Sequence, residues 1–250
     1  MIRNSFIKER ITTAVSYINK EDKVADIGCD HGYLGIACIE KGVNFIQNID
    51  NKPFPLASCK KNFAKHLSCD VNTKVLFTLS SGLRELDKDI NTVTILGMGG
   101  ETIIQILNDD IDKARLLDKI IIEANTKIFD VRKYLSDNGF SIIDEEILKE
   151  GMKIYEIIVA HYVGSVNLYS FDECLFGPVL MVKKDPLFLK KWTSRKQLIE
   201  NILGTVDINS NLDNKFTKMY NEYNHIKGML EGNDDRITRK TIDESKETRS

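Results

Sequence analysis

The stretch ADIGCDHGYLGIACIEKG, residues 25–42, decides the fold of this chain. It closes an apolar run, KVADIG (23–28), that reads as a buried strand, and then turns at Gly28 and Gly32. A helix follows from about Gly32 to Lys41. Strand, glycine turn and helix in that order open a nucleotide-binding α/β unit. A dinucleotide fingerprint, however, reads G-x-G-x-x-G, and here Gly28 is followed by Cys29 and Asp30, with Asp26 just ahead. A carboxylate facing a pyrophosphate at a few ångströms is repelled by several kcal/mol at intermediate dielectric. The turn suits a ligand that carries positive charge and no phosphate.

Working outward, FIQNID (45–50) is a second strand, KVLFTL (74–79) a third after a helix over 53–66, TVTILGMGG (92–100) a fourth and KIIIEAN (119–125) a fifth. Their apolar residues run continuously, as in parallel strands covered on both faces. A helix over 127–138 stops at Gly139. FSIIDEEILKE (140–150) and KIYEIIVAHY (153–162) are separated only by a short turn, so they pair as an antiparallel hairpin. The expected result is a seven-stranded, mostly parallel sheet, an α/β arrangement that resembles the Rossmann-like fold of class I methyltransferases. S-adenosylmethionine, with its sulfonium and ammonium, is then the ligand that two carboxylates favour. Gly28 lets the backbone approach it, and Asp26 faces the ammonium side. Asp50 ends the second strand 22 residues after Gly28, where an acidic residue accepts hydrogen bonds from ribose hydroxyls, with Asn51 beside it. Ser81 and Gly82 follow the third strand at the adenine edge, and Gly97 and Met98 follow the fourth, at the carboxyl end where ligands sit in open α/β sheets.

Hydrophobic residues make up 42% and charged residues 29% of the 250, enough for one α/β domain and a smaller appendage. Ile7, Ile11, Ala14 and Ile18 mark an amphipathic opening helix, and Lys8, Glu9 and Arg10 inside that pattern exclude a signal peptide. No apolar run is long enough to span a bilayer, so a cytoplasmic location is expected. The five cysteines, at positions 29, 38, 59, 69 and 174, are irregularly spaced and predict no metal site. Beyond Val163 a connector leads to two apolar stripes, Phe188, Trp192, Ile199, Ile202 and Val206, then Leu212, Phe216, Met219, Tyr223, Ile226 and Leu230. These predict an antiparallel, coiled-coil-like helical hairpin turning at DINSN (207–211). The expected division is a catalytic domain over 1–163, connector and hairpin over 164–232, and a disordered tail over 233–250. The segment KKDPLFLKKWTSRK (183–196) sets six basic residues, Lys190, Lys191 and Arg195 among them, against Asp185. It reads either as a solvated helix face or as a track for nucleic-acid phosphates.

DIGCDHGYL (26–34), LGMGG (96–100) and EEILKEGMKIYEIIVA (145–160), together with FGPVLMVKKDPLFLKKW (176–192), resemble the bacterial tRNA (adenine(22)-N(1))-methyltransferase family. The resemblance runs from about residue 5 to residue 230. It implies methylation of N1 of a tRNA adenosine from S-adenosylmethionine by a single chain, without metal. Matching positions are Asp26, Gly28, Asp30, His31, Tyr33 and Leu34, then Gly97, Met98, Gly99 and Gly100; Ser81 departs from the family's Asn or Asp. The implied cofactor-binding set is Asp26, Gly28, Cys29, His31, Asp50, Asn51, Ser81, Gly82, Gly97 and Met98. Adenine N1 is a neutral nucleophile, so catalysis consists of positioning it and opposing the positive charge that develops on the base. Asp30 is the expected catalytic carboxylate, accepting from the exocyclic amine, with Tyr33 or Asn125 positioning the base after it leaves its stack. A competing reading makes Asp30 a helix cap. Two other functions compete: methylation of another RNA or small molecule, and a non-catalytic cofactor-binding interaction protein.

Overall fold

A computed structural model describes residues 8–66, 74–166, 168–204 and 214–232. The chain divides into two compact units, Met1–Tyr169 and Ser170–Ser250.

The first unit is built on a seven-stranded sheet of order β3-β2-β1-β4-β5-β7-β6. The strands are β1 (Lys23–Ile27), β2 (Phe45–Asp50), β3 (Lys74–Leu79), β4 (Thr92–Gly99), β5 (Lys119–Thr126), β6 (Phe140–Glu150) and β7 (Lys153–Tyr162). β1 to β5 pair in parallel, while β7 enters antiparallel between β5 and β6. β1 has β2 on one side and β4 on the other, so the chain reverses direction across the sheet there. That reversal opens a crevice at the strands' carboxyl ends.

The helices are α1 (Glu9–Ser16), α2 (Tyr33–Lys41), α3 (Pro53–His66), α4 (Gly100–Asp109), α5 (Ile111–Arg115) and α6 (Ile128–Asp137). α2 adjoins α1 and α3, and α4 adjoins α5 and α6. Each group seals apolar strand residues: Ile36 of α2 and Phe63 of α3, for example, are buried with Val24 and Ile46. Of the predicted α1 stripe, Ala14 and Ile18 are fully buried, whereas Ile7 lies outside the described residues. α6 is fastened to the β6–β7 hairpin by a buried cation: Arg132 Nε donates to Glu145 Oε1 and its Nη2 to Glu156 Oε2, each at 2.8 Å.

The boundary predicted after Val163 moves to Tyr169/Ser170. The reason is local: the Ile142 amide donates to the Tyr169 hydroxyl at 2.7 Å, and the Tyr169 amide donates to Ser136 Oγ at 2.7 Å. These bonds hold the connector on the first unit.

The second unit contains α7 (Phe171–Phe176), α8 (Leu180–Lys183), α9 (Pro186–Leu203) and α10 (Asn214–Glu231). α7 starts in a capping box of Ser170 and Glu173, and α9 starts behind Asp185, whose side chain accepts from the Phe188 amide. Arg195 pairs with Glu222, and Lys184 Nζ donates to the Met229 carbonyl. Rising numbers on α9 meet falling ones on α10, so the two helices are antiparallel. Phe188, Trp192 and Ile199 are buried as expected, but Ile202 is 36% exposed. Met229 is buried more deeply than Leu230, which the predicted stripe favoured. Val206, Leu212, the turn at 207–211 and the tail at 233–250 lie outside the described residues.

Candidate functional site

A cleft of about 770 Å³ opens at the carboxyl ends of β1, β2 and β4. Asp26, Gly28, Cys29, Asp30, His31, Tyr33, Asp50, Asn51, Ser81, Gly82, Gly97 and Met98 all line it. Asn125 does not.

The first turn crosses the end of β2, with the amides of Gly28 and Cys29 both donating to the Ile49 carbonyl, at 2.8 and 3.0 Å. Gly28 takes φ +76°, and a Cβ there would stand 2.1 Å from the Met98 Cε. The left-handed backbone is what favours glycine there, and a side chain would also have to displace the flexible end of Met98. Asp26 is 5% exposed and accepts from the Thr94 hydroxyl at 3.0 Å. Burial pushes its pKa up to about 7, with the Asp50 and Asp30 charges adding to the rise against the Thr94 hydrogen bond. Asp50 ties two turns together, its Oδ1 accepting the Lys52 amide at 2.9 Å and its Oδ2 the Asp30 amide at 3.3 Å. Two of its roughly four acceptor positions remain for a ligand.

Asp30 is not a cap. The N-cap of α2 is Gly32, no side chain caps that helix, and Asp30 itself sits at φ 45° in the left-handed region. Its carboxylate is 68% exposed on the lip of the cleft, with Oδ2 3.7 Å from His31 Nε2. The His31 ring is half-exposed, 5.9 Å from the Tyr33 ring, while its carbonyl accepts from Asn62 Nδ2. Cys29 is buried, and the neighbouring Cys59 thiol and burial push its own thiol far up, so it fills space as an unreactive side chain.

The second turn is a bulge, with the β4–β5 register shifting on both sides of Met98 and Gly97 at φ +75°. Both sides of the Gly97 residue are held: its amide donates to Glu123 Oε2 at 3.0 Å, and its carbonyl accepts from Asn125 Nδ2 at 2.7 Å. Asn125, expected to meet the substrate base, is exposed and also helps to shape the turn. Glu123 is fully buried, and the same Oε2 accepts from Arg10 Nη1 at 3.0 Å. Burial raises the Glu123 pKa, and Arg10 opposes the rise. Arg10 lines the cleft, with Nε 3.8 Å from Glu150 Oε2 and its guanidinium 5.4 Å from the Tyr155 ring centre.

Arg10 and Glu123 escaped the reading of the sequence, although each left a trace. Arg10 is a charge within an apolar helical pattern, and Glu123 is the only acid inside KIIIEAN. On the second unit, Arg195 is engaged within the hairpin. Its Nε and Nη2 donate to the two oxygens of Glu222, both at 2.7 Å, so the guanidinium fastens the hairpin. Lys191 Nζ lies 4.5 Å from the Trp192 ring centre, and Lys190 is exposed. Among the described residues no cluster of His, Cys, Asp and Glu is placed to hold a metal ion, and no helix is long and apolar enough to cross a membrane.

A family model described as tRNA (adenine(22)-N(1))-methyltransferase matches residues 24–231. A Bacillus subtilis protein of that name is 31% identical over 204 residues, covering 78% of this chain and 84% of the relative. Among solved structures, the B. subtilis M1A22 tRNA methyltransferase TrmK superposes with a TM-score of 0.77 at 26% identity, covering 90% of this chain and 98% of the other. The Streptococcus pneumoniae protein Sp1610, solved in complex with S-adenosyl-L-methionine, superposes with a TM-score of 0.78 at 29% identity, covering 90% and 99%.

Proposed function

The chain belongs to the tRNA (adenine(22)-N(1))-methyltransferase family, and from that premise we propose which residues perform the reaction. The reaction is methylation of N1 of adenosine 22 in bacterial tRNA, with S-adenosylmethionine as donor. One observation carries the assignment of the cofactor site: three carboxylates, Asp26, Asp30 and Asp50, surround the Gly28 turn, and the most buried of them has its pKa raised to about 7. Burial is the main cause of that rise, and a cationic group placed against the carboxylate favours its ionised form. When bound, S-adenosylmethionine supplies an electrophilic methyl group on a sulfonium.

The chain's residues do the rest. Asp26 takes the ammonium of the cofactor, the remaining acceptor positions of Asp50 take the ribose hydroxyls with Asn51 beside them, and Ser81 and Gly82 meet the adenine. Gly28, Cys29, Gly97 and Met98 wall the cleft, and His31 stands at its lip beside Asp30. Asp30, exposed on the lip, accepts a hydrogen bond from the target's exocyclic amine. That bond enriches N1 and opposes the positive charge growing on the ring. Tyr33 packs on the base. Bidentate pairing with Glu222 withdraws Arg195 from this scheme, leaving Lys190 and Lys191 as the tRNA contacts of the second unit. A single chain supplies all these groups, so the working unit is a monomer in the cytoplasm, where tRNA is found.

The test is to incubate the protein with labelled S-adenosylmethionine and an unmodified tRNA transcript, then to map the modified base. Label at N1 of adenosine 22 is the expected result. Cofactor binding without label in tRNA, or label at another base, would refute the proposal.

A further inference from the structure

Residues 51–66, NKPFPLASCKKNFAKH, contain Lys52, Lys60, Lys61, Lys65 and His66 and no acidic residue, within a chain of formal net charge −2. They form the end of the β2 turn and helix α3, and Lys52 and Pro55 line the cleft. Leu56, Cys59 and Phe63 bury the inner side of the helix, yet Phe54, in its first turn, is 85% exposed. At 100° per residue, positions 54, 61 and 65 fall within about 40° of one another, with Lys61 and Lys65 about 10 Å and about 16 Å along the axis from Phe54. Lys61 and Lys65 are exposed and have no ion-pair partner among the described residues.

An exposed aromatic ring in sequence between two residues that line the cleft, with cations leading away from it on the same face, fits a strand of RNA with an unpaired base. We infer that this face of α3 receives the single-stranded part of the substrate next to the target adenosine. Phe54 stacks the base that loses its neighbour when the target leaves the stack, and Lys61 and Lys65 hold the phosphates beyond it. The inference rests on the tRNA methyltransferase reading above. A merely solvated helix face accounts for lysines alone; it accounts neither for a phenylalanine left in water nor for the absence of any Asp or Glu to balance four lysines.

The experiment uses the full chain and an unmodified tRNA transcript, with binding measured between about 50 and about 200 mM salt. A Lys61→Ser/Lys65→Ser variant should bind tRNA with a log–log salt slope shallower by roughly 1–2. Phe54→Ala should weaken tRNA binding by about 5- to 100-fold, and Phe54→Tyr should restore it. In the lysine variant, affinity for S-adenosylmethionine should equal that of the wild type. A wild-type salt slope in the lysine variant, or wild-type tRNA affinity in Phe54→Ala, overturns the inference. If the unaltered protein methylates tRNA while either of those results holds, only this surface is refuted. If the unaltered protein does not methylate tRNA at all, the parent reading fails first.

Discussion

Asp26→Asn should act with opposite sign on the unliganded protein and on cofactor binding. The folded pKa of about 7 stands above the ordinary 3.8 because burial penalises the ionised form, and that difference corresponds to about 4 kcal/mol. Because the folded value is the raised one, the folded state holds its proton more tightly than the unfolded chain. The corresponding stability is fully present below about pH 4 and is lost as pH rises through about 7. The unliganded wild type should therefore lose about 2.5 kcal/mol of stability between pH 5 and pH 8. Asp26→Asn, which never ionises, should flatten that dependence and raise the unfolding midpoint at pH 8. Cofactor binding should respond the other way. A cationic ligand selects the ionised carboxylate, so affinity should rise by about eightfold between pH 5.5 and pH 6.5, a window about a unit below the titration of an α-ammonium. In Asp26→Asn that rise should vanish. Isothermal calorimetry across the window, repeated in two buffers of different ionisation heat, reads both the affinity and the proton released on binding. A wild-type affinity that stays flat across the window, with no proton released, would refute the pairing of Asp26 with the ammonium.

The remaining predictions concern catalysis, positioning and stability. Asp30→Asn should lower single-turnover methylation by about 100-fold while leaving cofactor and tRNA affinities nearly unchanged. Asparagine tolerates the left-handed backbone, and no cap is lost, so a silent substitution would end the catalytic assignment. Arg10→Met leaves Glu123 buried without its cation, loosening the Gly97 turn. It should slow single-turnover methylation by at least about tenfold in folded protein, with Arg10→Lys recovering part of the rate; equal rates for wild type and Arg10→Met would remove Arg10 from the site. Arg132→Met strands Glu145 and Glu156 in the core and should destabilise by about 3–5 kcal/mol in urea unfolding, a midpoint within error of wild type being the contrary result.

The fold was legible because its parallel strands are uninterrupted apolar runs and its one antiparallel hairpin is too tightly connected to cross over. The cofactor turn was legible for a related reason: Asp26, Gly28 and Asp30 lie within five residues, so a local stretch carried the whole charge argument. What stayed hidden depends on partners far apart in the chain. Arg10 meets Glu123 across 113 residues, and Arg195 meets Glu222 across 27, and neither pair leaves any periodicity to read. The bond from Asn125 to Gly97 was hidden by the bulge at Met98, which shifts register at the strand end. The capping role offered for Asp30 failed because spacing alone does not disclose that the chain enters the left-handed region there. Tyr169 bound the connector to the first unit through a hydroxyl and an amide, contacts invisible to a count of apolar residues.

The Met98 methyl group occupies the place where any side chain at position 28 would begin. Two loops that belong to different strands, β1 and β4, thus share one void and must divide it between them. A side chain at 28 would push the flexible end of Met98 aside, so the left-handed backbone, more than the thioether, keeps most residues out of position 28. A mutational path that puts a side chain on the first loop therefore meets backbone strain at its first step, whereas the second loop can give way by moving its methionine.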